Sequence, residues 1–397
     1  MRISKGYKQS FQGPAVLTSQ TLFRLRLAAL ITGVFLIGAN SFVLSPILSD
    51  VAAALNTTPV AAARAISAFG GATAISALVL SALIDRIGTR MVLMGAAIAM
   101  GVAFIGSGMS RSWQMLSAFQ ALAGLSTGML LPAIYSEAVE IAPEGQGSRI
   151  MGLVLSGWSI AMIAGVPISA LLADFLSWRV AYGFLAVLAI AAAFTYAGFK
   201  DRKPVDRRPA VPRLEALHYR GAKKLLGTCL CFMTSFYGSY ALLGDQVRTA
   251  LGVNATLAST VVISYGAGFG LGGILVRLVD RIGPARVLPV ALCFSALLYG
   301  ALPVATQGML TAILATFLLG IGNHFGLNLI VLRLAGLNPA ARGTLLGLNI
   351  TATYVAVFFG PLLMGVLYGG LGFGAVGALA FVLLSSAALL AFQTRKI

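Results

Sequence analysis

Residues 85–88 read Asp-Arg-Ile-Gly, and residues 280–283 repeat the same four amino acids 195 positions later. Each copy follows an apolar run long enough to cross a bilayer. Further pairs of residues share this offset, as expected if a whole unit was duplicated. The chain is therefore predicted to be two copies of one membrane bundle. The further pairs are Asp50 with Asp245, Gly152 with Gly347, and Gly165 with Gly360, with Pro167 and Pro361 close behind the last two glycines.

The composition excludes an ordinary soluble domain. Of 397 residues, 58% are apolar and 10% are charged, and the mean hydropathy is +0.92. Too few polar side chains remain to cover a water-exposed surface of this size. The apolar blocks are continuous rather than alternating, which argues against an outer-membrane barrel. Twelve blocks are long enough to be membrane-spanning helices. They cover 28–49, 60–83, 91–109, 113–135, 149–173, 179–199, 223–246, 255–279, 287–304, 309–333, 343–366 and 373–393.

The predicted fold is an all-α membrane protein with two pseudo-symmetric six-helix bundles. We assign residues 28–199 to the first bundle and residues 223–393 to the second. A basic segment, 200–222, links them, and short tails cover 1–27 and 394–397.

Lysine and arginine residues predict the orientation, because cytoplasmic loops retain them during insertion. Of the 28, only Arg64, Arg111, Arg179 and Arg248 fall on the side opposite the termini. Both termini are therefore expected in the cytoplasm, and the protein in the cytoplasmic (inner) membrane. The net charge of +17 is then mostly an insertion signal. Membrane lipid is the expected surrounding and no nucleic acid is expected as a partner.

Six plus six spans, a basic central linker and a repeated loop motif resemble the major facilitator superfamily. The resemblance covers nearly the whole chain. It implies that the loop motif forms a latch, in which the acid accepts hydrogen bonds at a helix start and the arginines pair across the half interface. The latch residues are Asp85, Arg86, Gly88 and Arg90 after span two, and Asp280, Arg281, Gly283 and Arg286 after span eight.

Span five is similar to the glycine-proline signature of the drug and sugar exporters in that superfamily. Its proline frees a backbone carbonyl, which favours a hinge, although the small residues fit simple close packing equally well. One position departs from the exporters: Gln120 stands where they commonly carry an arginine, four residues before Gly124, and this puts proton coupling in doubt. The hinge or packing residues are Gly157, Gly165 and Pro167, with Gly360 and Pro361 in span eleven.

The candidate binding residues are those at mid-depth in their spans, because a transporter of this kind binds its solute near the membrane midplane between the halves. None of them carries a fixed charge, which favours a neutral or weakly charged amphipathic solute. The resemblance ranks spans one, four, seven and ten first. The candidates are Asn40, Tyr237, Tyr240, Asn323, His324, Asn349 and Tyr354.

Three residues are candidates for proton coupling. His324 lies near the centre of span ten and can change charge near physiological pH, or it is a hydrogen-bonded packing residue. Asp50 and Asp245 are repeat mates at the outer ends of spans one and seven. They either form an outer gate with Arg64 and Arg248 or are hydrated helix ends.

These features predict a secondary active transporter that moves a small organic solute by alternating access. The solute is expected to be drug-like, sugar-like or nucleoside-like, and proton-coupled efflux is the expected mode. The alternative is an uncoupled facilitator or importer of a small metabolite. A membrane receptor or enzyme is the remote alternative, although the sequence has no recognisable catalytic set at one depth. No cofactor and no metal are expected, and the protein is expected to function as a monomer.

Overall fold

The structure is a computed structural model that describes residues 19–80, 87–143, 146–199, 212–275, 282–338 and 341–395. Throughout these ranges the regular elements are helices, and twelve of the helical segments are long and apolar enough to cross a membrane. The prediction of an all-helical protein with twelve spans is confirmed.

The spans are numbered in chain order, and two of them are composite. Span five is an α-helix, a π-helical turn and a second α-helix, and span eight is interrupted once near its start. The bounds are Ser19–Ala54, Pro59–Val79, Thr89–Gly108, Trp113–Ile141, Gly147–Ile160 with Ala161–Gly165 and Val166–Phe175, Trp178–Ala197, Ala222–Leu251, Ala255–Ala258 with Thr260–Leu275, Pro284–Ala305, Met309–Leu337, Arg342–Leu371 and Phe373–Gln393.

Several helices extend beyond the predicted apolar blocks. Span one begins at Ser19, inside the segment assigned to the first tail. Arg26 is 9% exposed, and its guanidinium lies 5.3 Å from the ring centroid of Phe199. The apolar stem of an arginine can thus continue a packed helix where a hydropathy count places its end. Within the predicted linker, Arg213–Ala216 form a short helix and span seven begins at Ala222.

The six helices of each half pack in the same pattern. In the first half, span one contacts spans four, five and six, span two contacts span four, and span three contacts spans four and six. Each of these pairs recurs six spans later in the second half. The two bundles are therefore pseudo-symmetric, as the repeated motif predicts.

The halves meet along three pairs of spans. Span two packs on span eleven, span five packs on span eight, and spans one and seven cross each other between these pairs. Because consecutive spans run in opposite directions, both ends of the described chain, Ser19 and Arg395, lie at one face of the bundle. We call this the terminal face. The far face is the opposite one, with the turns after spans one, three, five, seven, nine and eleven.

Candidate functional site

The far face is joined by an ion pair between the halves. Arg248 of span seven donates to both carboxylate oxygens of Asp50 of span one, with N–O distances of 2.5 and 2.8 Å. The same guanidinium donates to the carbonyl of Pro46 at 3.2 Å. The side chains are 15% and 35% exposed, so water screens the pair only in part. Bidentate geometry of this kind fixes the orientation of both partners.

Asp245 makes a second contact across the halves beside that pair. Its carboxylate accepts a hydrogen bond from Ser49 of span one at 2.5 Å and another from Tyr368 of span eleven at 2.8 Å. The residue is 4% exposed. The repeat mates Asp50 and Asp245 thus both contact the other half, and Arg248 pairs with Asp50 as the outer-gate hypothesis requires. Arg64, the other expected partner, instead lies 5.1 Å from the ring of Trp113.

Asp174, at the far end of span five, makes a third contact between the halves. Its two oxygens accept hydrogen bonds from the backbone N–H groups of Ala255 and Thr256 at 3.2 and 2.6 Å. These two residues begin span eight. Asp50, Asp174 and Asp245 are the only aspartates in the described ranges, and each bonds to the opposite half.

Spans one and seven cross closely next to these acids. Ser45 donates its hydroxyl proton to the carbonyl of Tyr240 at 2.5 Å and accepts from the N–H of Gly244 at 3.2 Å. A Cβ on Gly244 would lie 2.7 Å from the Cα of Pro46 and closer still to the carbonyl of Ser45. Only a glycine permits this approach of two backbones. Together, the three acids and the crossing close the far face.

An array of aromatic rings lies between the halves. Phe42 of span one stacks on Tyr237 of span seven with a centroid distance of 5.7 Å and an angle of 3°. It also meets Phe236 and Tyr240 of span seven at 5.8 and 4.9 Å and Trp158 of span five at 6.4 Å. These separations are typical of attractive ring pairs. We call Phe42, Trp158, Phe236, Tyr237 and Tyr240 the ring array.

From the ring array, a row of further rings runs along spans eight and ten of the second half. Phe236 stacks on Tyr265 of span eight at 5.4 Å, Tyr265 lies 6.2 Å from Phe269, and Phe269 lies 4.7 Å from His324. His324 is partly exposed. Its ring packs against span eight, where a Cβ on Gly273 would approach the imidazole at 3.3 Å. Among the predicted binding residues, Tyr237 and Tyr240 therefore lie together, while His324 lies at the end of the row.

Tyr354 adds a second aromatic contact between the halves. Its ring centroid lies 6.3 Å from that of Phe69 of span two. Tyr354 thus extends the aromatic contacts between the halves to spans two and eleven.

The side chain of Asn40 is hydrogen-bonded inside the first half. Its amide donates to Gln120 of span four at 2.9 Å, and Gln120 donates to Ser107 of span three at 3.1 Å. Asn40 Oδ1 is buried and makes no hydrogen bond within the described chain. Gln120, at the position of the exporters' arginine, is 1% exposed. It is therefore a neutral structural link between three spans.

Asn323 and Asn349 are also held within one half. The amide nitrogen of Asn323 lies 3.2 Å from the hydroxyl of Tyr265 and 3.0 Å from that of Tyr299. Asn349 offers its backbone carbonyl to Thr353 at 3.0 Å. The side-chain oxygens of both residues are buried and have no hydrogen-bond partner in the part of the chain that the structure describes. A buried acceptor without a hydrogen bond is energetically unfavourable. A hydrogen bond from a solute or from water to either oxygen would therefore be favourable.

The hinge candidates lie at close contacts between helices. A Cβ on Gly157 would lie 2.6 Å from the carbonyl of Ile31, and one on Gly165 would lie 2.8 Å from the ring of Phe35. A Cβ on Gly360 would likewise lie 2.9 Å from the backbone nitrogen of Gly238 of span seven. Before Pro167, span five forms its π-helical turn, whereas Pro361 lies within an unbroken α-helix. Close packing is thus present at both repeats, and a local irregularity is present only at Pro167.

The latch candidates fall partly outside the described residues. Asp85, Arg86, Asp280 and Arg281 lie outside them. Gly88 and Gly283 precede spans three and nine and have φ angles of 86° and 93°, a conformation that favours glycine. Arg90 and Arg286 lie in the first turns of those two spans. The glycine of each motif copy therefore forms an equivalent turn in its own half.

Sequence reasoning missed three contributors to this site. Phe42 and Phe236 were not candidates because buried phenylalanines occur throughout such spans and carry no polar signal. Asp174 was not a candidate because its partners are backbone N–H groups in the other half. The described part of the chain brings no three His, Cys, Asp or Glu side chains together in a metal-binding arrangement.

Comparisons with known proteins agree on the family. The sequence profile of the Major Facilitator Superfamily matches residues 30–245. The chain is 28% identical over 364 residues to the uncharacterized MFS-type transporter YwfA of Bacillus subtilis (strain 168), covering 89% of this chain and 88% of that protein. It is 29% identical over 278 residues to the chloramphenicol resistance protein of Streptomyces lividans, covering 67% and 69%.

A solved structure has the same fold. It is the crystal structure of a bacterial homolog to the human lysosomal transporter Spinster, in an inward-facing and unoccupied conformation. The TM-score is 0.76 at 14% identity, with 96% of this chain and 98% of that chain covered.

Proposed function

Because this chain belongs to the major facilitator superfamily, we propose that it exports a small uncharged aromatic solute by alternating access, with protons as the driving ion. As a member of that family it is a multi-pass membrane transporter of a small solute and not an enzyme. The solute class, the direction and the proton are our proposals.

The ring array is the observation that carries this proposal. It lies between the halves, with Phe42 from one and Tyr237 from the other stacked on each other. A site shared by both halves is what alternating access requires, since rocking of one half on the other then exposes the site to each side in turn. The terminal face, which carries most of the lysine and arginine, is assigned to the cytoplasm by the positive-inside rule. In this assignment, the closed far face is the outer one.

The chemistry of the array favours an uncharged planar solute. Aromatic side chains offer ring faces for stacking, and the phenol groups of Tyr237 and Tyr354 offer neutral hydrogen bonds. The buried oxygen of Asn349 is an acceptor for a hydroxyl or amide donor on the solute. An ionic solute would need a fixed counter-charge at this depth. One relative is a chloramphenicol resistance protein, so chloramphenicol, an uncharged nitroaromatic alcohol, is the first probe.

His324 is our choice for the proton-carrying residue. It is partly exposed at the end of the ring row, and its Nδ1 is buried without a hydrogen-bond partner among the described residues. A histidine can gain and lose a proton near physiological pH. Asp50 and Asp245, the other two candidates, are held in contacts that close the far face. They are therefore less accessible from the terminal face.

An uncoupled facilitator is the second candidate, and Gln120 favours it. The side chain that replaces the exporters' arginine is neutral and bonded to Asn40 and Ser107. It cannot exchange a proton. Flux through such a facilitator would follow the solute gradient alone.

Everted membrane vesicles containing the protein separate these two functions. With the interior acidified by one pH unit, a proton-coupled exporter should accumulate chloramphenicol up to about tenfold per proton exchanged, because one unit corresponds to about 1.4 kcal/mol. We expect His324→Gln to abolish the accumulation while downhill flux remains. The only other histidine, His218, is exposed within the predicted linker, so His218→Gln is the matched control and should accumulate as the wild type does.

Two outcomes would count against the proposal. Uptake in the wild type that ignores the pH gradient and stops when chloramphenicol is equally concentrated on both sides would favour the facilitator. If chloramphenicol is not transported but a sugar or an organic ion is, the proposed solute class is wrong.

A further inference from the structure

We propose that Asp174 is a gating residue, which holds the far face closed by capping the start of span eight from the opposite half. The segment Val166–Phe175 carries this residue, and we call it the gate arm. The proposal rests on the rocking motion in the proposed function. It adds one contact that stabilises the state in which the far face is closed.

The carboxylate of Asp174 replaces a cap that a helix ordinarily receives from its own chain. The first N–H groups of a helix have no partner within that helix. In span eight, Asn254 caps the N–H of Leu257 at 3.0 Å from within its own half. The N–H groups of Ala255 and Thr256 are left to Asp174. A negative charge is favourable at this end of a helix, so the contact is both a hydrogen bond and a charge interaction.

The gate arm is joined to the rest of span five by an irregular joint. The N–H of Val166 bonds to the carbonyl of Ala161, five residues back, and closes a π-helical turn. Pro167 follows and has no N–H to give to the preceding turn. Such turns in α-helices occur frequently at functional sites. The joint therefore gives the arm a place about which to tilt.

The joint and the tip of the gate arm both touch span eight. At the joint, a Cβ on Gly266 would lie 3.2 Å from Met162 and 3.0 Å from Ile163. At the tip lies the cap. Separation of the far face would break the cap, because its acceptor and its donors belong to different halves.

The cap should thus stabilise only the state with the far face closed. Loss of a helix cap of this kind shifts a conformational equilibrium by about tenfold. We expect Asp174→Ala to raise the ratio of far-open to far-closed molecules by that factor. The distance between spin labels on cysteines introduced at Ala54 and Gln307, both exposed at the far face, reports the ratio by pulsed electron paramagnetic resonance. Full-length protein in lipid nanodiscs is used, with the native cysteines replaced by alanine.

Asn254→Ala is the matched control, because it removes a cap from the same helix without touching the contact between halves. We expect it to leave the distance distribution unchanged. Asp174→Asn keeps one acceptor and loses the charge, so it should shift the distribution less and in the same direction. If Asp174→Ala does not fold, as judged by circular dichroism and gel filtration, Asp174→Asn carries the test.

An unchanged distribution in the folded Asp174 variants, or an equal shift in Asn254→Ala, would overturn the proposal. The measurement needs no substrate. Its failure would leave the proposed solute and proton coupling untouched, and a failed transport assay would leave the gate intact.

Discussion

Replacing Gly244 by alanine is expected to prevent the far face from closing. The added Cβ would meet backbone atoms of Ser45 and Pro46 of span one, 2.7 Å from the nearest Cα, and a backbone cannot move aside as a flexible side chain can. Overpacking of this kind costs about 1–3 kcal/mol. Since 1.4 kcal/mol is a factor of ten, the far-closed population should fall relative to the far-open one by roughly ten- to a hundredfold. Transport should fall with it.

Hydrogen–deuterium exchange measures this effect. Peptides that cover the far ends of spans one and seven should exchange faster in Gly244→Ala than in the wild type. Gly183→Ala is the matched control, since it also places alanine within a helix but has open space around the new Cβ. The gain in helix propensity of about 1 kcal/mol is common to both variants. Equal exchange in all three proteins would show that the crossing is not a closing contact.

Removal of the Phe42 ring should weaken recognition of the solute strongly. Phe42 is 2% exposed and contacts four other rings, one from span five and three from span seven. Truncation of a buried phenylalanine to alanine costs about 3–5 kcal/mol of stability. It also removes a stacking surface worth about 1 kcal/mol per ring. We expect Phe42→Ala to weaken chloramphenicol binding by at least about tenfold.

Phe104→Ala separates lost binding from lost stability. Phe104 is fully buried inside the first half, where its ring lies 6.4 Å from that of Tyr182. Both variants should lower the melting temperature, but only Phe42→Ala should raise the dissociation constant measured by equilibrium dialysis. Equal affinities in the two variants would remove the ring array from the binding site.

The repeat allowed most of the fold to be predicted. Four residues at 85–88 and their copy at 280–283 required two equivalent bundles, and the structure repeats each contact between spans six spans later. The ends of the helices were less predictable. Hydropathy marks only the apolar part of a helix, and span one continues through Arg24 and Arg26 to Ser19.

The site could be predicted less well from the sequence. The depth of a residue can be counted along a span, but the direction in which its side chain faces around the helix cannot. Asn40 lies at the predicted depth, yet its amide binds Gln120 inside the first half. Phe42, two residues on, faces the other half. In a helix that is apolar all round, no periodicity distinguishes these directions.

The far-face acids show a different limit. Asp50 and Arg248 could be proposed as partners because both are charged and lie at the same depth. The partners of Asp174 are two backbone N–H groups, 81 and 82 positions away. Every residue other than proline has such a group, so the sequence carries no mark of the contact.

Distances measured at both faces of the bundle, in two doubly labelled variants of the protein, test the rocking of the halves most directly. One labelled pair is Ala54→Cys with Gln307→Cys at the far face, and the other is Val139→Cys with Gly336→Cys, exposed near the terminal face. Addition of chloramphenicol under a pH gradient should lengthen the far pair while it shortens the terminal pair. Two distances that stay constant, or that lengthen together, would contradict alternating access in this protein.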